Sequence, residues 1–175
     1  MSLTYRLLNP QSQDIDKVKN LFLTAFTEDE RPSYEVMVSL EKAAFCEVEE
    51  GNEFIGLRID LERDDLAYLF FLAVEPNKRN LGYGGKIVDD FLADHPHQRC
   101  YLLADDPAPE YKDYPMRLRR VDFYKRHGFI PSGEKINEYG VTYIFLTHSC
   151  EVKREDHLNL MRYLLGENFK SYQYK

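Results

Sequence analysis

The pattern of hydrophobic and polar positions predicts a chain in which strands and helices alternate. An apolar run over 3–8 predicts a first strand, and a helix is expected after the turn-prone Asn9 and Pro10. A second helix is expected over 33–44, with Ser33 as its N-cap. The inward positions predicted for these two helices are Ile15, Val18, Leu21, Phe22, Ala25 and Phe26, then Val36, Met37, Leu40 and Ala44.

Three extended runs follow the two helices. Residues 45–49 and 53–61 flank a turn-forming triplet over 50–52, which predicts an antiparallel hairpin. The run from Leu66 to Val74 is apolar at every position, so both of its alternating faces are apolar. Such a run is typical of a strand that is covered on both sides, and we therefore expect it to be the central strand.

The second half of the chain continues the alternation. A helix that Pro96 ends, followed by a strand over 100–104, predicts a parallel crossover behind the central strand. A helix over 116–127 and a hairpin formed by 129–136 and 141–148 come next. The inward positions predicted for the helices of this half are Ile87, Val88, Phe91 and Leu92, then Leu118, Val121 and Tyr124, and in a tail helix Leu158, Met161, Leu164 and Leu165.

These elements predict an α+β fold class with one mixed sheet. The expected order is strand, helix, helix, three strands, helix, strand, helix and two strands, followed by an appended C-terminal helix. Residues 1–150 are expected to form a single domain. Residues 151–175 are expected to carry an amphipathic helix that packs on the same domain or at a homodimer surface.

Composition narrows the class of protein. The 175 residues are 43% hydrophobic, which excludes disordered and fibrous classes. A net charge of −7 disfavours a nucleic-acid partner, and the longest apolar run, Leu66 to Val74, is too short to span a membrane. The three cysteines are far apart and form no CxxC pair, so we expect no metal site and no disulfide framework. A cytoplasmic protein without a membrane partner is the resulting expectation.

The segment that suggests chemistry is the glycine-rich stretch after the central strand. Gly82, Gly84 and Gly85 let the backbone approach a ligand closely, and N–H groups at a helix N-terminus favour an anion such as pyrophosphate. A turn that serves only chain reversal is the alternative. Neither the G-x-G-x-x-G spacing of dinucleotide-binding loops nor the G-x-x-x-x-G-K-[ST] of P-loops occurs in the sequence.

Two segments resemble the GNAT superfamily of N-acetyltransferases. Arg79-Asn80-Leu81-Gly82-Tyr83-Gly84 matches its acetyl-CoA loop, which reads Arg or Gln, two residues, Gly, one residue, Gly or Ala. The stretch from Phe123 to Phe129 is similar to the FYxxxGF stretch of a later helix in that superfamily. The superfamily's element order also agrees with the order predicted above, and the resemblance covers about 3–148.

The resemblance implies an acetyl-CoA-dependent N-acetyltransferase in which a primary amine attacks the thioester directly in a ternary complex. Tyr124 would then be the general acid that protonates the leaving thiolate, although a core aromatic residue is its other interpretation. The pantetheine arm would lie along the central strand and the pyrophosphate on the loop amides. The implied cofactor-binding residues are Leu72, Ala73, Val74, Arg79, Asn80, Leu81, Gly82, Tyr83, Gly84 and Gly85.

The general base stays open, because the glutamate that many members carry on the central strand is missing. That strand offers Tyr68 and Phe70 instead. Asp105 follows the next strand and is a candidate catalytic residue that binds or deprotonates the amine, while ordinary turn chemistry is the alternative. Arg117 and Arg120 also depart from the family pattern, and they pair either with phosphate or with nearby carboxylates.

The acceptor is expected to be a small-molecule or peptide amine. The acidic stretch that contains Glu28 and Glu30 suggests a cationic acceptor, and these two residues with Tyr68 are the candidate substrate-binding residues. A merely solvated acidic loop is the alternative. The five histidines show no metal-ligand spacing and are assigned surface roles. A non-catalytic acyl-CoA-binding regulatory module of the same fold remains the competing function.

Overall fold

The computed structural model describes residues 2–28, 31–138, 140–166 and 169. Within these residues the chain forms seven strands and five α-helices in the expected order. The strands are β1 (Thr4–Leu7), β2 (Ala43–Glu50), β3 (Glu53–Arg63), β4 (Leu66–Val74), β5 (Arg99–Asp105), β6 (Phe129–Glu138) and β7 (Val141–His148). The helices are α1 (Ile15–Ala25), α2 (Tyr34–Ser39), α3 (Tyr83–Asp94), α4 (Tyr114–Arg126) and α5 (Arg154–Leu165), with a 3-10 turn at Pro76–Lys78.

The chain forms two compact units. The N-terminal unit consists of Met1–Leu61 and Leu69–Asp94, and the C-terminal unit consists of Glu62–Tyr68 and His95–Lys175. Strand β4 contributes to both, because its first three residues belong to the C-terminal unit and the rest to the N-terminal unit.

In the N-terminal unit, the strands lie in the order β1-β2-β3-β4. The β1–β2 and β2–β3 pairs are antiparallel, which confirms the predicted first hairpin. Helices α1 and α2 cover one aromatic cluster of this unit, in which the fully buried Phe22 contacts the rings of Phe26, Tyr34, Phe45 and Phe71. The apolar residues of α1 that recur at helical spacing therefore face the core, as predicted: Val18, Leu21 and Phe22 are buried.

Helix α3 packs on a second cluster of the same unit. Ile87 and Tyr83 lie against Val48 and Ile55, so the start of the helix is fixed by apolar contacts. The buried Arg58 of β3 extends this contact along the helix, with Nη2 2.7 Å from Asp94 Oδ2. A buried guanidinium needs such a carboxylate partner, and the pair ties α3 to the strands.

In the C-terminal unit, the strands lie in the order β4-β5-β7-β6. The start of β4 pairs with β5 in parallel, which confirms the predicted crossover, and β7 pairs antiparallel with both β5 and β6. Tyr101 of β5 stacks on Tyr68 and on Phe145, with ring centroids 4.6 Å and 6.0 Å apart. These rings form the aromatic floor on which α5 packs through His157.

The predicted length of the second helix was wrong. Helix α2 ends at Ser39, and Leu40 leaves the helical conformation with a ψ of 89°. Ala43 and Ala44 instead pair with Leu61 and Asp60 of β3, so strand pairing replaces the last turn of the predicted helix. Val36, predicted to face inward, is 42% exposed.

The predicted inward stripe of the tail helix was partly wrong. The buried residues of α5 are His157, Leu160, Met161 and Leu164, so the inward positions of Met161 and Leu164 are confirmed, whereas Leu158 and Leu165 are only half-buried. The surface role assigned to His157 was therefore wrong, because its imidazole finds polar partners inside the unit. Within the described part of the chain, no helix is both long and apolar enough to cross a membrane.

Candidate functional site

The glycine-rich loop joins the end of β4 to the start of α3. Its backbone begins with a bond from Glu75 N to Ile55 O of 2.9 Å, and it then passes through two left-handed residues, Asn80 (φ 63°) and Gly82 (φ 87°). The backbone bond from Lys86 N to Gly82 O, at 3.1 Å, begins the helix. The N–H groups ahead of it belong to the first helical turn, where no intrahelical partner exists. A row of amides therefore converges at the helix N-terminus.

Two side chains hold this loop on the turn of the β2–β3 hairpin. The hydroxyl of the buried Tyr83 donates to Glu50 Oε2 at 2.6 Å, and Lys78 Nζ lies 2.5 Å from Glu53 Oε1. The hydrogen bond to the Glu50 carboxylate raises the pKa of Tyr83. The residue between the two motif glycines thus points inward and serves as an anchor.

The remaining predicted cofactor residues lie on the outer side of the loop or on β4. Arg79, Asn80 and Leu81 are exposed, and Arg79 Nε donates to Val74 O at 3.1 Å. On β4, Ala73 is buried, whereas Leu72 and Val74 are half-buried. Lys86, in the first turn of α3, forms an ion pair with Asp90 of its own helix. The ten predicted cofactor-binding residues all lie in the N-terminal unit.

Tyr124, the predicted general acid, lies on α4 of the C-terminal unit. Its ring is half-buried and contacts the rings of Phe123 and Phe129, with centroids 5.1 Å and 6.2 Å away. Burial raises the pKa of its phenol, the Arg120 cation opposes that rise, and the Asp105 charge adds to it. The side chain therefore has both an apolar setting and a charged pair nearby.

Asp105, the last residue of β5, and Asp106, which follows it, both form ion pairs. Asp105 Oδ2 accepts a hydrogen bond from Arg120 Nη1 at 2.5 Å, and Asp106 Oδ2 accepts one from Lys135 Nζ at 2.6 Å. Arg117 donates to Asp113 and to the carbonyl of Asp106. The sequence left phosphate and nearby carboxylates open as partners for Arg117 and Arg120. In the structure both arginines form ion pairs with carboxylates.

The three candidate substrate-binding residues occupy different settings. Tyr68 is only 3% exposed, because it is stacked on Tyr101 and meets the edge of His157. This burial raises the pKa of Tyr68 well above its ordinary value. Glu28 is exposed, and Glu30 lies outside the described residues.

Sequence reasoning missed a buried polar chain that links three elements of the C-terminal unit. His157 Nε2 lies 2.8 Å from Glu138 Oε1, and Nδ1 lies 2.9 Å from the hydroxyl of Tyr101. Since a carboxylate only accepts, Nε2 donates to Glu138, and the Tyr101 hydroxyl is the partner of Nδ1. The signal was present, because His157 precedes Leu160, Met161 and Leu164 by three, four and seven residues. Among the described residues, no group of three or more His, Cys, Asp or Glu side chains is arranged to hold a metal.

Comparisons with known proteins agree with this fold. The model of the Acetyltransferase (GNAT) family matches residues 15–129, more than half of the chain. A protein described as a GNAT-family acetyltransferase from Bacteroides thetaiotaomicron is 20% identical, with a TM-score of 0.76, and the match covers 98% of this chain and 99% of that one. No curated protein matches the chain significantly.

Two further solved structures share the fold and contain ligands. A GNAT-family acetyltransferase from Elizabethkingia anophelis with acetyl-CoA bound is 16% identical, with a TM-score of 0.58 over 85% of this chain and 98% of that chain. An acetyltransferase from Bacillus subtilis in complex with CoA is also 16% identical, with a TM-score of 0.61 over 86% of this chain and 100% of that chain. At these identities the likeness establishes the fold.

Proposed function

The chain belongs to the GNAT family of acetyltransferases, and from this premise we propose that it transfers the acetyl group of acetyl-CoA to a primary amine. The acceptor is a small molecule or a peptide, and the amine attacks the thioester directly in a ternary complex. The neighbours with bound acetyl-CoA and CoA support the choice of cosubstrate. Acetyl-CoA supplies the activated acyl group and a thiolate leaving group.

The observation that carries this proposal is the amide row at the start of α3. The N–H groups of Tyr83, Gly84 and Gly85 precede the first intrahelical bond, so they are oriented to bind an anion rather than the helix itself. Gly84 and Gly85 place no side chain over these amides. A pyrophosphate fits this donor set, with Arg79, Asn80, Leu81 and Gly82 beside it, and Leu72, Ala73 and Val74 offer β4 backbone to the pantetheine arm.

Tyr124 is proposed as the general acid. Its hydroxyl gives a proton to the departing thiolate, so that the phenol O–H bond breaks as an S–H bond forms. A half-buried phenol whose pKa is raised stays protonated at neutral pH and is therefore ready to donate. Within its own unit, the FYxxxGF helix holds the ring against Phe129.

The acceptor side is proposed more coarsely. Glu28 and Glu30 are proposed to supply negative charge for a cationic amine. Asp105 acts on the reaction through its ion pair with Arg120. We further propose that residues 1–150 function as one catalytic domain in the cytoplasm, with the 151–175 segment completing it or joining two copies.

Calorimetric titration with acetyl-CoA tests the cofactor site. We expect the wild type to bind at a low-micromolar Kd, about −8 kcal/mol, and Gly84→Glu to lose binding because a carboxylate replaces the space for pyrophosphate. Gln13→Glu adds the same charge at an exposed position of the N-terminal unit and serves as the control. Absence of binding by the wild type would contradict the proposal.

Thiol release with a panel of amines separates an enzyme from a binding module. We expect turnover by the wild type, and Tyr124→Phe should lower kcat by roughly 100-fold or more while leaving the Kd for acetyl-CoA unchanged. Binding of acetyl-CoA without turnover on any amine would instead favour the regulatory module.

A further inference from the structure

Helix α4 presents three functional side chains on one face. Arg117, Arg120 and Tyr124 are separated by three and four residues, so they follow one another along the same side of the helix. This face meets the carboxyl end of β5, where Arg120 reaches the Asp105 side chain and Arg117 reaches the Asp106 carbonyl. Two cations thus precede the tyrosine along the face that carries it.

Arg120 is paired with a buried carboxylate, although 45% of its own side chain is exposed. The anchor is Asp105, whose side chain is only 6% exposed and which is fixed in the β5–β7 ladder opposite Tyr143. A buried carboxylate that pairs with a guanidinium fixes the position of the cation. That position is one helical turn before Tyr124.

The charged and titratable groups that act on the Tyr124 phenol come from three elements. Arg120 on α4 lowers its pKa and Asp105 on β5 raises it. Tyr68 on β4 is electrostatically coupled to it. Phe123 and Phe129 supply the apolar part of its surroundings. Because Arg120 is the cation among these neighbours, it is the group that favours the phenolate.

We propose that Arg120 is a positioning residue of the transfer reaction, which stabilises the phenolate that Tyr124 forms on giving up its proton, and that Asp105 sets the strength of this effect. The inference rests on the proposed role of Tyr124 as general acid. In that step the O–H bond breaks, the proton joins the thiolate sulfur, and the negative charge moves to the phenolate oxygen. The guanidinium, which Asp105 holds one helical turn before Tyr124 on the same face of α4, is the cation that favours this charge.

The two members of the ion pair should act on Tyr124 in opposite directions. Removing the Arg120 cation withdraws support for the phenolate, so Arg120→Met should raise the pKa of Tyr124. Removing the Asp105 charge leaves the cation uncompensated, so Asp105→Asn should lower it. A purely structural ion pair would be broken equally by both changes and would give no such opposition.

The test is a ¹⁹F NMR titration of the full chain labelled with 3-fluorotyrosine, without acetyl-CoA. The Tyr124 signal is assigned by its loss in Tyr124→Phe. We expect the titration midpoint to rise in Arg120→Met, to fall in Asp105→Asn, and to stay near wild type in Arg120→Lys. Lys125→Met is the matched control, since it removes a cation of the same helix that pairs with Asp122. Equal midpoints in Arg120→Met and Lys125→Met, or shifts of the same sign in Arg120→Met and Asp105→Asn, would overturn the proposal.

Kinetics then show whether the effect reaches the reaction. Arg120→Met should lower kcat roughly tenfold with little change in the KM for acetyl-CoA, Arg120→Lys should recover most of the loss, and the alkaline limb of the kcat profile should move to higher pH. A wild type without turnover defeats the proposed function, whereas the NMR titration still decides the electrostatic role of Arg120. An Arg120→Met enzyme with wild-type kcat and pH profile defeats the inference alone.

Discussion

At the scale of single residues, Gly56 of β3 allows a close backbone approach to the end of β4, because glycine has no side chain. A Cβ at Gly56 would lie 2.2 Å from the carbonyl oxygen of Ala73 and 3.1 Å from Cα of Val74. These neighbours are backbone atoms in a hydrogen-bonded sheet, so they cannot move aside cheaply. The close approach concerns the stretch of β4 proposed to contact pantetheine.

Gly56→Ala should therefore destabilise the protein by about 3 kcal/mol, because the added methyl group overpacks the sheet. Urea unfolding measures the loss, and the Kd for acetyl-CoA should weaken in parallel as Ala73 and Val74 shift. Gly51→Ala is the control, since nothing lies within 4 Å of its Cβ and only its φ of 64° opposes the substitution. We expect about 1 kcal/mol there, and similar losses at both sites would show that the close approach is unimportant.

At the scale of elements, helix α5 is fixed to the sheet of the C-terminal unit by one polar chain within an apolar contact. His157 bonds to Glu138 of β6 and Tyr101 of β5, and its ring meets Tyr68 and Phe145 edge-on. Leu160, Met161 and Leu164 supply the apolar remainder of the buried stripe. A fully buried histidine is tolerated because both of its ring nitrogens are bonded.

His157→Leu should destabilise the protein by about 2–4 kcal/mol, because it leaves the Glu138 carboxylate and the Tyr101 hydroxyl without their partner. Thermal and urea unfolding measure this effect. Asn159→Leu, on the exposed side of the same helix, should change stability by less than about 0.5 kcal/mol. The double variant Glu138→Met with His157→Leu should recover part of the loss, since it removes the buried carboxylate that the single variant leaves without a partner. No recovery, together with an equal loss in Asn159→Leu, would mean that the polar chain does not anchor α5.

At the scale of the whole molecule, carboxylates that are hydrogen-bonded in the folded state make stability depend on pH. The hydrogen bond from Arg99 lowers the pKa of Asp65, and the one from Arg117 lowers the pKa of Asp113. Partial burial raises the pKa of Asp156. Hydrogen bonds from the Lys153 backbone and from Arg99 outweigh this effect and lower the pKa overall. These carboxylates hold protons less tightly in the folded chain than in the unfolded chain.

Stability should therefore decline as the pH falls below about 4. The pKa values of these carboxylates are lower in the folded chain than in the unfolded chain, so the unfolded chain binds more protons at acidic pH. Their contribution to the free energy of unfolding is complete above the unfolded-state pKa, and it is lost as the pH falls through the folded-state pKa. Urea midpoints between pH 7 and pH 2 measure the decline. Arg99→Met should flatten it, because that cation serves both Asp65 and Asp156. An unchanged slope in Arg99→Met would assign the acid sensitivity to other groups.

Part of the fold could be predicted because it depends on local patterns. Strand β4 has the bounds expected from its nine apolar residues, and the inward face of α1 matches its helical spacing. The end of α2 could not be predicted, because Ala43 and Ala44 suit a helix by themselves and enter β2 only when β3 pairs with them. Local sequence patterns therefore determine the bounds of β4 and the inward face of α1, whereas strand pairing determines where α2 ends.

The sequence alone determined the family, the element order and the glycine loop, because glycine spacing, apolar periodicity and the FYxxxGF stretch are local and carry their physical meaning without distant partners. Only the tertiary structure decided which partner each charged or polar side chain takes. Arg120 pairs with Asp105, and His157 forms hydrogen bonds with Glu138 and Tyr101. These pairs join residues from different elements, and the geometry that makes a buried charge or imidazole favourable exists only after the strands and helices have packed together.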